Sequence, residues 1–175
     1  QGELAKAESA FESALRIDPA DPQPLAGLAN VFANRKQPDR AIQRISAQIQ
    51  NAPQSAVLYE LLGQTYASQK NYAMAEESLR KAISLDKNRF SAYALLAQAY
   101  AAQQSFDKAT AELQKVLAID PKSGQTHVLM GVIYEIQKNR ERAKHHYYEA
   151  LKIDSAYTVA ANNLAWMLAE SGGSL

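Results

Sequence analysis

Apolar residues recur along the chain at steps of three and four, in stripes that return at a fixed interval. The phrase ALRIDP at 14–19 comes back as AISLDK at 82–87, VLAIDP at 116–121 and ALKIDS at 150–155, always at multiples of 34 residues. With Pro22 as the first position of a 34-residue frame, new frames open at Ala56, Phe90, Gly124 and Thr158. Position 4 reads Leu25, Tyr59, Tyr93, His127, Ala161, and position 7 reads Leu28, Leu62, Leu96, Met130, Leu164. Position 8 is always small (Ala29, Gly63, Ala97, Gly131, Ala165), and position 11 reads Phe32, Tyr66, Tyr100, Tyr134, Leu168. These slots lie three or four apart and form one face of a helix. A second stripe falls at position 20, which is Ala7, Ala41, Ala75, Ala109 and Ala143, and at position 24, which is Phe11, Ile45, Leu79, Leu113 and Tyr147. Position 27 completes it with Ala14, Gln48, Ala82, Val116 and Ala150.

Each frame therefore predicts two helices, A and B, and the chain is expected to be all-α. Asp21 before Pro22 reads as a helix N-cap followed by a proline in the first turn. Asn71, Ser105 and Asn139 stand between the stripes, where helix B needs a side-chain cap. Pro19, Pro53 and Pro121 stand where helix B has to stop. The small residues at positions 8 and 20 let the helices of a pair approach closely. Each hairpin leaves apolar surface that the next one covers, so the hairpins stack into one continuous core. The recurring phrase closes a stacking unit and is not a catalytic motif.

The register of large, small and aromatic slots ending in proline resembles the tetratricopeptide repeat, over essentially the whole chain. The resemblance implies a right-handed superhelix, an α-solenoid of stacked antiparallel helix pairs, working as a non-catalytic protein–protein interaction scaffold. Gln48 at a normally small slot, His127 and Ala161 at position 4, and Lys87 and Ser155 in place of proline depart from the pattern. The frame divides the chain into helix B of a truncated repeat at 1–21, full repeats at 22–55, 56–89, 90–123 and 124–157, and helix A of another at 158–175. That division is expected of a fragment of a longer array, and NNLAWMLAE is similar to phrases of long bacterial arrays, including those of exopolysaccharide and protein-sorting systems.

Composition narrows the function. Lys+Arg number 19 and Asp+Glu 18, a net charge of +1, without the basic excess a phosphate backbone calls for, so no nucleic-acid partner is expected. The longest nearly uncharged apolar run, Val128–Tyr134, is too short to span a bilayer, and no membrane insertion is expected. There is no cysteine, hence no disulfide or thiolate metal site. Phosphate loops, zinc-protease helices and nucleophile elbows are absent from the sequence, so no enzyme, cofactor or metal is expected. His145 and His146 are adjacent and point about 100° apart on a helix, which prevents joint chelation. His127 reads as a residue between helices, and Glu76, Glu77 and Glu112 as solvated or i,i+4-paired carboxylates. The basic run Lys138, Arg140, Arg142, Lys144, His145, His146 is diluted by Glu141 and Glu149 and reads as an outer face. The compartment is left open.

In the resembled family, helix A lines a concave groove with positions 2, 5, 9, 12 and 13 turned inward. Carried over, the candidate peptide-binding residues are Gln23, Asn30, Asn34, Glu60, Gln64, Ser68, Gln98, Gln125, Val132, Asn162 and Trp166. Slot 12 also brings Glu135 to this surface. These slots hold no Lys or Arg, which argues against a clamp for a terminal carboxylate. Asn30, Gln64 and Gln98 instead form a series of amides one frame apart, able to pair with the backbone of an extended peptide or helix. The alternatives are ordinary surface amides on a spacer that associates end to end with more repeats or its own copies, or an accessory segment of an enzyme whose catalytic domain lies elsewhere.

Overall fold

The computed structural model describes residues 2–18 and 21–170. They form α1 (Gly2–Ile17), α2 (Pro22–Asn34), α3 (Pro38–Asn51), α4 (Ala56–Ser68), α5 (Tyr72–Leu85), α6 (Phe90–Ala102), α7 (Phe106–Ile119), α8 (Gly124–Ile136), α9 (Arg140–Ile153) and α10 (Thr158–Glu170). No strand occurs among the described residues. The architecture is that of a tetratricopeptide solenoid built from antiparallel helix pairs. Helices α2, α4, α6, α8 and α10 open on the residues that open the frames.

The ends of the helices follow their local chemistry. Asp21 caps α2 by accepting from the Gln23 N–H at 2.9 Å. Asn71 and Asn139 cap α5 and α9, accepting from Met74 and Arg142 at 3.4 and 3.3 Å. Ser105 occupies the same place before α7 but makes no side-chain cap bond, a correction to the expected set. Helices α3 and α7 stop at Asn51 and Ile119, two residues before Pro53 and Pro121, while Pro19 lies outside the described residues. The Asp of the recurring phrase has a further role. Asp86, Asp120 and Asp154 each accept from the N–H two residues on, at 2.9, 3.1 and 2.8 Å, and so turn the chain out of helix B.

Between helices A and B the chain makes one turn four times over. Lys36, Lys70, Gln104 and Lys138 have φ of 57°, 60°, 59° and 60°, the left-handed region. The next residue's N–H then reaches back to the carbonyl of Phe32, Tyr66, Tyr100 or Tyr134, at 2.8 to 3.0 Å. This is a Schellman-type helix end, normally built on glycine.

Contacts divide the chain into two compact units, residues 1–95 and 96–175. In the first unit Leu15, Leu25, Leu28, Phe32, Ala41 and Leu58 form a buried cluster, with Phe11, Ile49 and Leu61 packed against it. Ala75, Leu79 and Ala82 of α5 are completely buried. Gln48 is buried too, so the substitution at a small slot is accommodated inside. Glu8 of α1 is held by Arg35 and, at 2.8 Å, by Arg40, and Glu12 by Arg44 at 3.2 Å.

In the second unit Leu113, Val116, Met130, Tyr147, Leu164 and Met167 are buried. Gly131 lets α8 approach α9, since a Cβ there would stand 2.4 Å from the Tyr147 ring. The fully buried Tyr147 donates its hydroxyl to Glu135 at 2.6 Å and accepts from Asn163 at 2.8 Å, which ties α8, α9 and α10 together. Burial, and then the bond to Glu135, push the phenol well above its ordinary range.

Candidate functional site

The structure gathers most of the first unit's candidates into adjoining clefts between α2 and α4. One, of about 340 Å³, has Ala26, Ala29, Ala33 and Leu61 among its walls, with Asn30, Gln64 and Ser68. The other, of about 150 Å³, shares Ala26, Leu61 and Gln64 and adds Gln23, Val57 and Glu60. Helical periodicity explains the grouping: Gln23, Ala26, Asn30 and Ala33 lie three or four apart on α2, as do Val57, Glu60 or Leu61, Gln64 and Ser68 on α4. The alanines leave the floor shallow and apolar, and the amides stand at its edge.

The candidates differ in how free they are. Glu60 is engaged by Arg89 and accepts from the Ser91 hydroxyl at 2.8 Å. Its charge is answered within the unit. Arg89 was invisible to the groove reading because it lies in the last position of its frame, outside the helix stripes. Ser68 donates its hydroxyl to the Thr65 carbonyl at 2.7 Å, and Thr65 donates to Leu61 at 2.7 Å. Asn34 is exposed but lies outside both clefts, its amide donating to the Asn30 carbonyl at 2.9 Å. Asn30 and Gln64 are exposed, and among the described residues their side-chain amides have no hydrogen-bond partner. Neither cleft has a lysine or arginine among its described wall residues.

In the second unit Gln98, Gln125, Asn162 and Trp166 are exposed and Val132 is half-buried, on α6, α8 and α10. Trp166 is 58% exposed and Val159 of the same helix 51%, an apolar pair two turns apart. These residues stand on open helix faces of their own unit. Glu135 is not available at the surface, because Tyr147 and Asn163 hold it, the latter at 3.1 Å.

The remaining charged candidates are also corrected in detail. Glu112, expected as a solvated or i,i+4-paired carboxylate, is buried and paired at i,i+3 with Lys115 at 2.8 Å. Glu76 pairs with Arg80 at 2.9 Å on α5, while Lys81 lies over the Tyr59 ring. The basic run resolves into local contacts: Arg140 with Glu170 at 2.7 Å, Lys144 with Glu141 at 3.7 Å, and Arg142 over Tyr134. His127 is buried between helices as expected, and its Nδ1 stands 3.0 Å from the Nδ1 of His146, 19 residues along the chain.

Comparison with known proteins agrees with this architecture. Models of the tetratricopeptide repeat match residues 1–65, 66–131 and 124–157. A crystal structure of MamA is 25% identical, with a TM-score of 0.67, over 88% of this chain and 90% of that one. TTC0263, a thermophilic TPR protein in Thermus thermophilus, is 21% identical, with a TM-score of 0.75, over 95% and 91%. YrrB, described as a TPR protein with an unusual peptide-binding site, is 22% identical, with a TM-score of 0.65, over 93% and 84%. No curated protein matches. With its models covering most of the sequence and every described helix in the repeat register, the chain belongs to the tetratricopeptide repeat family.

Proposed function

We propose that the chain, a protein–protein interaction scaffold by its repeat architecture, binds an extended peptide along the clefts between α2 and α4. The observation that carries this is the pair of unengaged amides, Asn30 and Gln64, at the edge of a cleft of about 340 Å³ with an alanine floor. A primary amide donates and accepts at once, so two of them can pair with a peptide backbone whatever its side chains. The small floor leaves room for a side chain of the peptide. The neutral wall and the engaged Glu60 favour an uncharged segment over a terminal carboxylate. The description of YrrB supports a peptide as the ligand class.

The test is fluorescence anisotropy with a panel of labelled, uncharged peptides against the wild type and Asn30→Ala/Gln64→Ala. Loss of the paired amides should weaken binding about tenfold or more, at roughly 1 kcal/mol for each hydrogen bond. Peptides that bind both proteins equally remove the cleft from the proposal. The exposed Val159 and Trp166 favour a second reading, in which the α10 face takes a further repeat or a second copy. A Trp166→Gln variant that sediments like the wild type at every concentration would remove it.

A further inference from the structure

His127 stands on α8 in the slot that Tyr59 and Tyr93 occupy in the two preceding frames, and it is 8% exposed. Across the hairpin, on α9, His146 points its Nδ1 at the Nδ1 of His127, 3.0 Å away. Two ring nitrogens at that distance share one hydrogen. With both rings neutral, one donates from its Nδ1 and the other accepts at its Nδ1. Tyr134 of α8 stacks on the His146 ring, with centroids 5.4 Å apart and planes inclined by 16°.

We infer that this imidazole pair is a proton-sensitive latch between α8 and α9, closed when both rings are neutral and opened by acid. One proton can enter at Nε2 of the donating ring with the shared hydrogen in place. A second has to enter at the accepting Nδ1. It sets N–H against N–H and puts two positive rings in contact. A metal bridge is a poorer account of the pair, since no third metal-binding side chain converges on it among the described residues.

The surroundings favour the neutral rings. On α9 itself, His145 and Arg142 oppose further positive charge on His146, and Glu149 is the carboxylate that eases it. Glu149 is already engaged by Lys152 at 2.6 Å. On α7, Glu112 pairs with Lys115 and Lys108 lies over Tyr100, and neither these nor Asp107 act on the imidazoles. The one charged side chain of α10 among the described residues, Glu170, pairs with Arg140. Burial is the largest influence on both rings. It pushes His127 down against the Pro121 carbonyl and Glu149, and pushes His146, with His127 and His145 adding to it, down to about 4. An unfolded imidazole titrates near about 6.5. Between that value and about 4 the unfolded chain therefore holds more protons than the folded one, and stability falls as the pH falls through this window.

The experiment is an NMR titration of the histidine ring carbons in the whole chain, joined to hydrogen exchange across residues 124–157. His146 should titrate well below the ordinary imidazole value, and His127 below it. After correction for intrinsic exchange, opening of α8 and α9 should rise about thirtyfold between pH ~7.5 and ~5 from His146 alone. His146→Ser, which places there the residue type that Ser78 holds in an earlier frame, should lose most of that rise, and His127→Tyr only the smaller part that His127 adds. Titration of both rings at the ordinary value overturns the latch, as does a rise equally large in His146→Ser. Should that variant fail to fold, the wild-type titration decides by itself.

Discussion

The size match across a hairpin can be tested at Gly131. The frame places position 8 of helix A opposite position 24 of helix B. Gly63 meets Leu79, and Gly131 meets Tyr147, the larger partner. A Cβ on Gly131 would lie 2.4, 2.6 and 3.0 Å from three carbons of the Tyr147 ring. That ring is 0% exposed, so it has no route of escape into solvent. Overpacking of this kind costs about 1–3 kcal/mol. A displaced phenol also loses its bonds to Glu135 and Asn163, at about 1 kcal/mol each. Against this, alanine gains about 1 kcal/mol over glycine in a helix. Gly131→Ala should therefore destabilise by about 2–4 kcal/mol, read from urea unfolding followed by circular dichroism. A second variant separates the contributions. Gly131→Ala with Tyr147→Leu recreates the Ala97 and Leu113 combination of the preceding frame. It should recover the steric part and leave the hydroxyl's bonds lost. A single variant as stable as wild type, or a double variant worse than the single, would refute the reasoning.

Two further expectations follow from the same register. Ala75 is completely buried between α4 and α5, so Ala75→Leu should cost about 1–3 kcal/mol and lower the thermal midpoint, whereas an unchanged midpoint would mean the hairpin has slack. Lys70 and Gln104 hold a left-handed backbone, with φ of 60° and 59°, so Lys70→Gly and Gln104→Gly should each stabilise by about 0.5–1 kcal/mol, checked by the same melts.

The helices were legible because their cause is periodic. Stripes at positions 4, 7, 8 and 11 can be satisfied only by a helix with a partner on that side, and a proline or an Asp–Pro step marks an end whatever lies around it. The A-to-B turn was not legible in the same way. A left-handed residue is ordinarily announced by glycine, and here the position is filled by lysine or glutamine. Ser105 shows a related limit, since a capping residue type can stand at the cap and leave the bond unmade. The first-unit candidates were found because period 3.6 brings slots of one helix to one face. Their engagements were not, because Glu60 meets Arg89, 29 residues on, through a side chain whose direction no stripe prescribes. The His127–His146 bond spans 19 residues, and only the fold brings the two rings together.

Position 23 of the frame draws these threads together. It holds Arg44, Ser78, Glu112 and His146 in successive repeats. Arg44 is tied to Glu12 of α1, and Ser78 bonds the Met74 carbonyl of its own helix at 2.8 Å. Glu112 is buried with Lys115, and His146 shares a hydrogen with His127. One backbone position thus supports four unrelated side-chain solutions, because position 8 against position 20 and 24 already fixes how the helices of a pair approach. Stacking depends on the slots that repeat. What distinguishes one repeat from the next, such as a titratable contact at His127 and His146, has to come from the slots that do not. In a chain of this family the search for function therefore belongs at the positions where the frames disagree.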